Sequence, residues 1–378
     1  MLDVAIIGGG PVGAALAALA AHSGLDMAVF ESRSGPSQDG RTLALSHASR
    51  ERLEEARAWP REGATPIRSI HISQKGGPGR TLLDASEQSL PALGYTVAFS
   101  TLESALGEAL RASGLRPSYG ESCVSIALDA EGATVRFASQ REIRARLLVL
   151  ADGGANATKI PGIAFTEKDY GQQAVVASVR VDRPHGSRAY ERFTPEGPVA
   201  LLPVEDRFAL VWTAAPEAAV RLLEMDDARF LAGLQAHFGD RAGRFLAVTA
   251  RAAFPLKLRT VNVPVALRTA IIGNAAQALH PIAGQGLNLG LRDAATLAGL
   301  LHSTPREELG GAAMLSAYRE ARRRDASSGV LVTDLLVAAF SDARRLPTWG
   351  RGLALAALDL FPPARRMLAE RMIHGAPG

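Results

Sequence analysis

A glycine-rich hexapeptide near the N-terminus constrains the fold more than any other feature of the sequence. Residues 8–13 read GGGPVG, which matches the pattern G-x-G-x-x-G. An apolar run at residues 3–7 precedes it, an Ala/Leu-rich stretch at 12–23 follows, and residues 27–30 form a second apolar run. Strand, glycine turn, helix and strand in this order predict a βαβ unit that binds a dinucleotide.

Each residue of this turn has a physical role in such a unit. Gly8 would make the tight turn, Gly10 would let the backbone approach a pyrophosphate, and Gly13 would let the helix pack closely on the strand. Pro11 suits the first helical position, where its missing N–H costs little. The free N–H groups and positive dipole end of the helix would then face the phosphates.

Two carboxylates extend this prediction. Glu31 ends the second strand 18 residues after Gly13, where it can accept hydrogen bonds from a ribose diol. Asp152 and Gly153 follow the apolar run 147–150, so they would lie at the carboxyl edge of the sheet, although Asp-Gly is also a common turn. These features leave FAD and NAD both open.

The segment 271–293 favours a flavin. It predicts a strand, a loop in which two glycines flank Gln285, and a helix. Such a loop can lie flat against a planar ring, and the helix N-terminus would face the N1–C2=O edge, where negative charge gathers on reduced flavin. For His280 both a structural and a catalytic role are open, and Pro281 could simply end the loop.

Several segments of the sequence resemble one enzyme family. They are HPIAGQGLNLGLRD (280–293), GRTLALS (40–46), LGY (93–95), AYERF (189–193) and TD (333–334). They are similar to the group A flavoprotein monooxygenases, specifically to the ubiquinone-biosynthesis FAD-dependent hydroxylases of the 2-polyprenyl-6-methoxyphenol hydroxylase type. The resemblance covers nearly the whole chain.

The resemblance implies a set of FAD-binding residues: Gly8, Gly10, Pro11, Gly13, Glu31, Arg33, Arg41, Val124, Asp152, Gly153, Asn274, Pro281, Gly284, Gln285, Gly286, Leu287 and Asn288. Arg33 and the backbone of Val124 would lie near the adenine. Arg41 would approach the pyrophosphate or ribityl chain, or else be a solvated loop arginine. Asp152 and Asn274 would flank the phosphate and ribityl region, and residues 284–288 would line the isoalloxazine.

The resemblance also implies the reaction. NAD(P)H, bound transiently, would reduce FAD, O₂ would add at flavin C4a as a hydroperoxide, and the ring of a polyprenyl phenol would attack the distal oxygen. His280 and Pro281 are the flavin-proximal candidates, and Leu202, Pro203 and Phe193 are expected to form the substrate pocket. No general base is expected, because an alkoxyphenol is already electron-rich.

Two alternatives to this function are open. The chain could be a group A hydroxylase or epoxidase that acts on another lipophilic substrate. It could also be a flavin-bound, non-catalytic subunit of a biosynthetic complex. A flavin halogenase is not expected, because the sequence has no W-x-W-x-x-P motif.

The predicted fold is α/β, with parallel strands at 3–7, 27–30, 147–150 and 269–272. A discontinuous Rossmann-like FAD-binding domain would comprise residues 1–66, 96–168 and 261–325. An inserted β-sheet substrate domain would comprise 67–95 and 169–260, and a C-terminal helical region would follow at 326–378.

Charge and composition limit the partners that the chain is expected to bind. The net charge of +4 equals the excess of ten arginines over six acids between Arg319 and Arg371, and no other basic cluster indicates nucleic-acid binding. This basic, partly apolar tail would either pack on the body or dock on a membrane or biosynthetic complex. One cysteine, no signal-like N-terminus and no apolar run of 18 residues predict a cytoplasmic protein, with peripheral association at the membrane left open, and no metal site is expected.

Overall fold

The computed structural model describes residues 1–37, 39–76, 80–278, 285–323, 361, 365–367, 369–370 and 373. Its strands are β1 (Leu2–Ile7), β2 (Met27–Glu31), β3 (Thr42–Ser46), β4 (Ala64–Ile67), β5 (Ser69–Gln74), β6 (Arg80–Asp84), β7 (Gly94–Ala98), β8 (Ser118–Tyr119), β9 (Cys123–Leu128), β10 (Ala133–Phe137), β11 (Glu142–Leu150), β12 (Phe165–Val181), β13 (Arg188–Phe193), β14 (Val199–Val204), β15 (Arg207–Ala214), β16 (Phe245–Val248), β17 (Ala252–Val261), β18 (Val265–Ala266), β19 (Thr269–Ile271) and β20 (Gln277–Ala278). Its α-helices are α1 (Pro11–Leu19), α2 (His47–Glu55), α3 (Phe99–Ala112), α4 (Pro216–Glu224), α5 (Asp227–Phe238) and α6 (Gln285–Ser303), and residues 312–323 form a further helix.

The first sheet is the predicted parallel one. Within the described residues it has eight strands, in the order β18-β19-β11-β1-β2-β8, with β10 and β9 continuing from β11. β1 runs parallel to both β2 and β11, and β11 runs parallel to β19. The α/β fold class and the four parallel strands expected from the sequence are therefore confirmed. The central residues of these strands, such as 4–7 and 147–150, are apolar and buried, as in a parallel sheet that is covered on both faces.

Close packing between helices holds the glycine turn in place. Val12 of α1 contacts Gly273 and Gly290, and a Cβ on Gly290 would lie 2.6 Å from a Val12 methyl carbon. Gly290 therefore lets α6 approach α1 closely. The apolar faces of α1, α3 and α6 share one core with the parallel sheet.

The second sheet has nine strands in the described part of the chain, in the order β20-β17-β12-β15-β14-β13-β5-β6, with β16 beside β12. β5 and β6 join it from the segment 67–95. β20 also joins it, although the domain division expected from the sequence assigns its residues to the other domain. Strands of two residues carry no periodic signal, so β20 could not be found from sequence. A separate sheet has three strands in the described part of the chain, in the order β3-β7-β4.

The described residues of the C-terminal segment contact the protein body. Ala369 and Ile373 are buried beside residues of β5, β6 and β13. Arg365 donates two hydrogen bonds to the Glu87 carboxylate, at 3.0 and 2.7 Å. The inner face of this segment therefore packs on the nine-stranded sheet. Among the described helices, none is long and apolar enough to span a membrane.

Candidate active site

A cavity of about 1100 Å³ lies between the carboxyl edge of the parallel sheet and one face of the nine-stranded sheet. Ile7, Glu31 and Asp152 line it where β1, β2 and β11 end. Parallel strands that end at one edge form the crevice in which α/β proteins bind their ligands. The volume exceeds the roughly 300–1,000 Å³ of common small-molecule pockets, so a dinucleotide and a second ligand could share it.

The glycine turn has the geometry that the sequence predicts. Gly8 has φ +110°, and a Cβ there would lie 2.5 Å from the carbonyl carbon of Ala151. A Cβ on Gly13 would lie 2.0 Å from the Gly8 carbonyl oxygen. Gly10 differs from both, because a Cβ on it would meet nothing within 4 Å and would enter the cavity. The turn thus leaves open a space that a larger side chain would fill.

The N-terminus of α1 faces this space. Gly10 is its N-cap, Pro11 is its first residue, and within the described residues no side chain caps it. Its first-turn N–H groups and positive dipole end are therefore available to an anion in the cavity.

Glu31 is held beside the glycine turn. Its carboxylate accepts hydrogen bonds from the backbone N–H of Gly9 at 2.8 Å and of Arg33 at 3.0 Å, and it pairs with the Arg33 guanidinium at 3.2 Å. Burial by itself raises the pKa of Glu31, but the hydrogen bonds and charge of Arg33 outweigh it and the pKa lies below its ordinary value. A buried, ionised acceptor therefore lies where a ribose diol is expected. Arg33 also pairs with Glu103 at 2.8 Å.

Arg41 and Asp152 line the cavity with partners of their own. Arg41 remains 60% exposed and pairs with Asp39, while its guanidinium carbon lies 5.9 Å from the centre of the Phe99 ring. The carboxylate of Asp152 accepts hydrogen bonds from the backbone N–H groups of Gly154 and Asn156, at 2.9 and 3.0 Å. These bonds fix the turn that follows β11.

The first turn of α6 forms another part of the wall. Gly286, Leu287 and Asn288 line the cavity there, and Asn274 faces it from the turn after β19. Asn288 accepts hydrogen bonds from the Ser46 N–H and the Ser49 hydroxyl, at 2.8 and 2.7 Å, and donates one to the Ala44 carbonyl at 3.0 Å. Asn288 thereby ties α6 to β3 and α2, a structural task that sequence reasoning missed.

Most of the residues singled out in the sequence meet at this cavity. Those that line it are Gly8, Gly10, Pro11, Glu31, Arg33, Arg41, Asp152, Gly153, Asn274, Gly286, Leu287, Asn288, Phe193 and Leu202. His280, Pro281 and Gly284 lie outside the described residues, and for Gln285 only the helical backbone is described.

Three expected site residues are not among the lining residues. Gly13 lies behind the turn, where it serves the packing role described above. Val124 is 54% exposed, and its neighbour Cys123 lines the cavity instead. Pro203 lies on the opposite face of β14 from Leu202, because successive side chains of a strand point to opposite faces.

The wall opposite the glycine turn is a face of the nine-stranded sheet. Ala189 and Phe193 of β13, Leu202 of β14 and Ile72 of β5 line it. Sequence reasoning missed Glu191, which lines the same wall between Ala189 and Phe193. Its position two residues before Phe193 in a strand was the signal that could have found it.

Comparison with known proteins identifies the class. The family model described as "FAD binding domain" matches residues 1–331. Among solved structures, p-nitrophenol 4-monooxygenase PnpA from Pseudomonas putida has a TM-score of 0.81 at 19% identity, with 100% of this chain and 99% of that one covered. HpxO of Klebsiella pneumoniae, solved with FAD and uric acid, has a TM-score of 0.79 at 18% identity, with 100% and 98% covered.

Closer relatives are found by sequence. Ubiquinone hydroxylase UbiL of Rhodospirillum rubrum is 33% identical, over 97% of this chain and 88% of that protein. The 3-demethoxyubiquinol 3-hydroxylase of Escherichia coli is 31% identical, over 94% of both chains. The chain therefore belongs to this family of FAD-dependent hydroxylases, and it is a flavoprotein monooxygenase. The family resemblance seen in the sequence is confirmed.

Proposed function

We propose that this monooxygenase hydroxylates the aromatic ring of a polyprenyl phenol intermediate in ubiquinone biosynthesis, with O₂ and NAD(P)H as co-substrates. The observation that carries the proposal is one cavity in which a dinucleotide-type turn faces an apolar sheet. The names of the relatives at 31–33% identity supply the substrate class.

The residues at the sheet edge fit FAD. Gly8 lets the turn pack against Ala151, Gly10 leaves room for the FAD pyrophosphate, and the uncapped N-terminus of α1 offers N–H groups to it. Glu31 would accept hydrogen bonds from the ribose, with Arg33 beside it. Arg41, Asp152 and Asn274 would contact the pyrophosphate and ribityl chain, which their places on the wall support.

The first turn of α6 would hold the ring end of the cofactor. Gly286, Leu287 and Asn288 line the cavity there, and the positive dipole end of α6 suits the edge of the flavin that becomes negative on reduction. We extend this assignment to Gly284, Gln285 and Pro281 on the family resemblance alone. Bound FAD would carry reducing equivalents from NAD(P)H and deliver one oxygen atom of O₂ to the substrate.

The sheet wall would hold the substrate ring. Phe193, Leu202 and Ile72 remove water from the reacting surface and pack against an apolar ring and its prenyl chain. Sequence expectation placed Pro203 there too; we assign that role to Leu202 and Ala200, which face the cavity.

The purified protein should be yellow and release FAD on denaturation. NAD(P)H oxidation should accelerate when a prenylated methoxyphenol is added, because substrate and cofactor occupy one cavity. Release of no FAD, together with failure to reconstitute, would refute the cofactor assignment.

The same assay separates the alternatives. Acceleration only by an unrelated lipophilic compound would favour another group A hydroxylase or epoxidase. FAD release with no NAD(P)H oxidation and no O₂ consumption would favour a non-catalytic subunit.

The sequence division into domains also stays a proposal. Residues 1–66, 96–168 and 261–325 would form the FAD-binding domain, with 67–95 and 169–260 forming the substrate domain. The pairing of β5 and β6 with β13 supports it, whereas β20 argues for moving residues 277–278 to the substrate side.

We further propose a cytoplasmic protein whose C-terminal region docks on the membrane by its outer face. The inner face is occupied by the body, whereas Phe361 and Met367 are 60% and 57% exposed and Arg366 is exposed beside them. Apolar side chains next to a cation suit an anionic lipid surface.

Liposome co-sedimentation at low and high salt tests this docking. Binding of wild type should weaken at high salt, because Arg366 contributes electrostatic attraction. Replacement of Phe361 and Met367 by Ser should abolish binding, because the apolar contact is lost. The matched control replaces Leu246 and Leu267, which are 50% and 54% exposed elsewhere, and should bind as wild type does. If the Phe361 and Met367 variant binds liposomes as well as the Leu246 and Leu267 control does, the proposed docking face is refuted.

A further inference from the structure

Glu191 is the one carboxyl group that the described part of the nine-stranded sheet presents to the cavity. It follows Ala189 and precedes Phe193 on the cavity face of β13. Across the sheet its register partners are Ile72 of β5 and Ala200 of β14, which also line the cavity. The carboxyl group therefore projects from an otherwise apolar wall.

This carboxyl group has no partner of its own among the described residues, since none of them forms a hydrogen bond or ion pair with it. Its remaining exposed surface faces the cavity rather than bulk solvent. Burial raises the pKa of Glu191 to about 7. Glu191 is half-buried and its carboxyl group lies against the cavity, so a ligand in the cavity can supply the hydrogen-bond partner that it lacks among the described residues.

Neighbouring charges do not explain the raised pKa of Glu191. Arg192 of β13 and His71 of β5 are not among the lining residues, and Arg192 donates to the Ser73 hydroxyl at 3.4 Å. In the described part of the chain, the other ionisable residues that line the cavity are Glu31, Arg33, Arg41, Glu121, Cys123, Asp152, Lys159 and Tyr190. None of these contributes to the pKa of Glu191, which burial alone raises.

We propose that Glu191 binds the hydroxyl group of the phenolic substrate and accepts its proton during hydroxylation. The assignment rests on the proposed function, and it names the polar contact that fixes the ring on an apolar wall. A hydroxyl donor and a carboxylate acceptor form a charge-assisted hydrogen bond, which is stronger in a dry cavity than in water.

The phenolic proton moves to Glu191 as the ring attacks oxygen. The O–H bond of the substrate breaks, an O–H bond forms on the Glu191 carboxylate, and the electron pair stays on the phenolic oxygen. From there it raises electron density at the ring carbons that receive oxygen. When the ring regains aromaticity, the hydrogen on the newly oxygenated ring carbon leaves as a proton to solvent, and Glu191 returns its own proton to the phenolic oxygen. Overall, O₂ supplies one atom to the ring and one to water, and NAD(P)H is oxidised.

The test compares two probes in the FAD-loaded protein: a geranyl-substituted 2-methoxyphenol and its O-methyl ether, which lacks the hydroxyl. Binding is followed by the change in flavin fluorescence between pH 6 and pH 8.5. Wild type should prefer the phenol by roughly tenfold or more once Glu191 is ionised, because hydrogen bonds to charged groups are the strong ones. The preference should weaken as the pH falls below about 7.

Glu191→Gln keeps the shape but cannot ionise, so its preference should fall to a few-fold and lose its pH dependence. Glu191→Ala should remove the preference altogether. Glu167→Gln, an exposed acid-to-amide change on β12 of the same sheet, should match wild type. The FAD content of each variant reports its folding.

Two results would overturn the proposal in distinguishable ways. If wild type binds and hydroxylates the phenol but Glu191→Gln retains the full, pH-dependent preference, Glu191 is not the acceptor and the proposed function stands. If wild type neither binds the phenol nor oxidises NAD(P)H faster with it, the proposed function fails, and the role of Glu191 fails with it.

Discussion

Gly10→Val should separate cofactor binding from folding. The φ of Gly10 is −68°, which any residue adopts, and a Cβ there meets nothing within 4 Å. Valine is a poor N-cap, so the free energy of unfolding should fall by only about 1 kcal/mol. The valine methyl groups would instead occupy the space proposed for the FAD pyrophosphate.

The expected weakening of FAD binding follows from the hydrogen bonds that the displaced pyrophosphate could no longer accept. Two hydrogen bonds from backbone N–H groups to a charged phosphate contribute roughly 1.5–3 kcal/mol each. Without them, FAD should bind roughly 10²–10⁴-fold more weakly. Apoprotein titrated with FAD, followed by the quenching of flavin fluorescence, measures the change, and circular dichroism of the apoprotein checks the fold. A folded variant that binds FAD as tightly as wild type would refute the placement of the pyrophosphate.

Three further predictions concern stability. Gly13→Ala should lower both the melting temperature and FAD occupancy, because its Cβ would lie 2.0 Å from the Gly8 carbonyl oxygen; unchanged melting would contradict this. Asp293→Ala should lower the free energy of urea unfolding by about 3–5 kcal/mol, because the Arg322 guanidinium, 6% exposed, would lose its carboxylate; a loss under 1 kcal/mol would contradict it. The free energy of unfolding of the substrate-free wild type should fall by up to roughly 3 kcal/mol between pH 4.5 and pH 7. The pKa of Glu191 is about 7 in the folded protein against an ordinary 4.5, so its ionisation in this range disfavours the folded state. Glu191→Gln should show a correspondingly smaller loss, and equal urea midpoints across this range in both proteins would contradict the burial of the charge.

The parts of the fold that were predictable are those with strong local signals. The turn from Gly8 to Gly13 and the apolar runs around it predict β1, α1 and β2, because the backbone leaves no room for a side chain at Gly8 and Gly13. The strands 147–150 and 269–272 follow from buried apolar runs, and β11 and β19 lie where these predict.

The rest depends on tertiary pairing. No local pattern indicates that β5 pairs with β13, or that β20 completes the same sheet. Pro203 was assigned together with Leu202 by resemblance, which finds the strand but not the face that each side chain occupies. Glu191 was missed because a single acid within a strand usually indicates a solvent-exposed side chain. Its spacing of two from Phe193 indicates a shared face, and the sheet register shows that this face lines the cavity.

Oxygen transfer tests the central claim most directly. The FAD-loaded protein is given NAD(P)H, the geranyl-substituted 2-methoxyphenol and ¹⁸O₂, and the organic products are analysed by mass spectrometry. The account predicts a ring-hydroxylated product that carries one ¹⁸O atom, formed only when NAD(P)H is present. NAD(P)H oxidation that yields only reduced oxygen species, with no labelled product from this or other prenylated phenols, would contradict it.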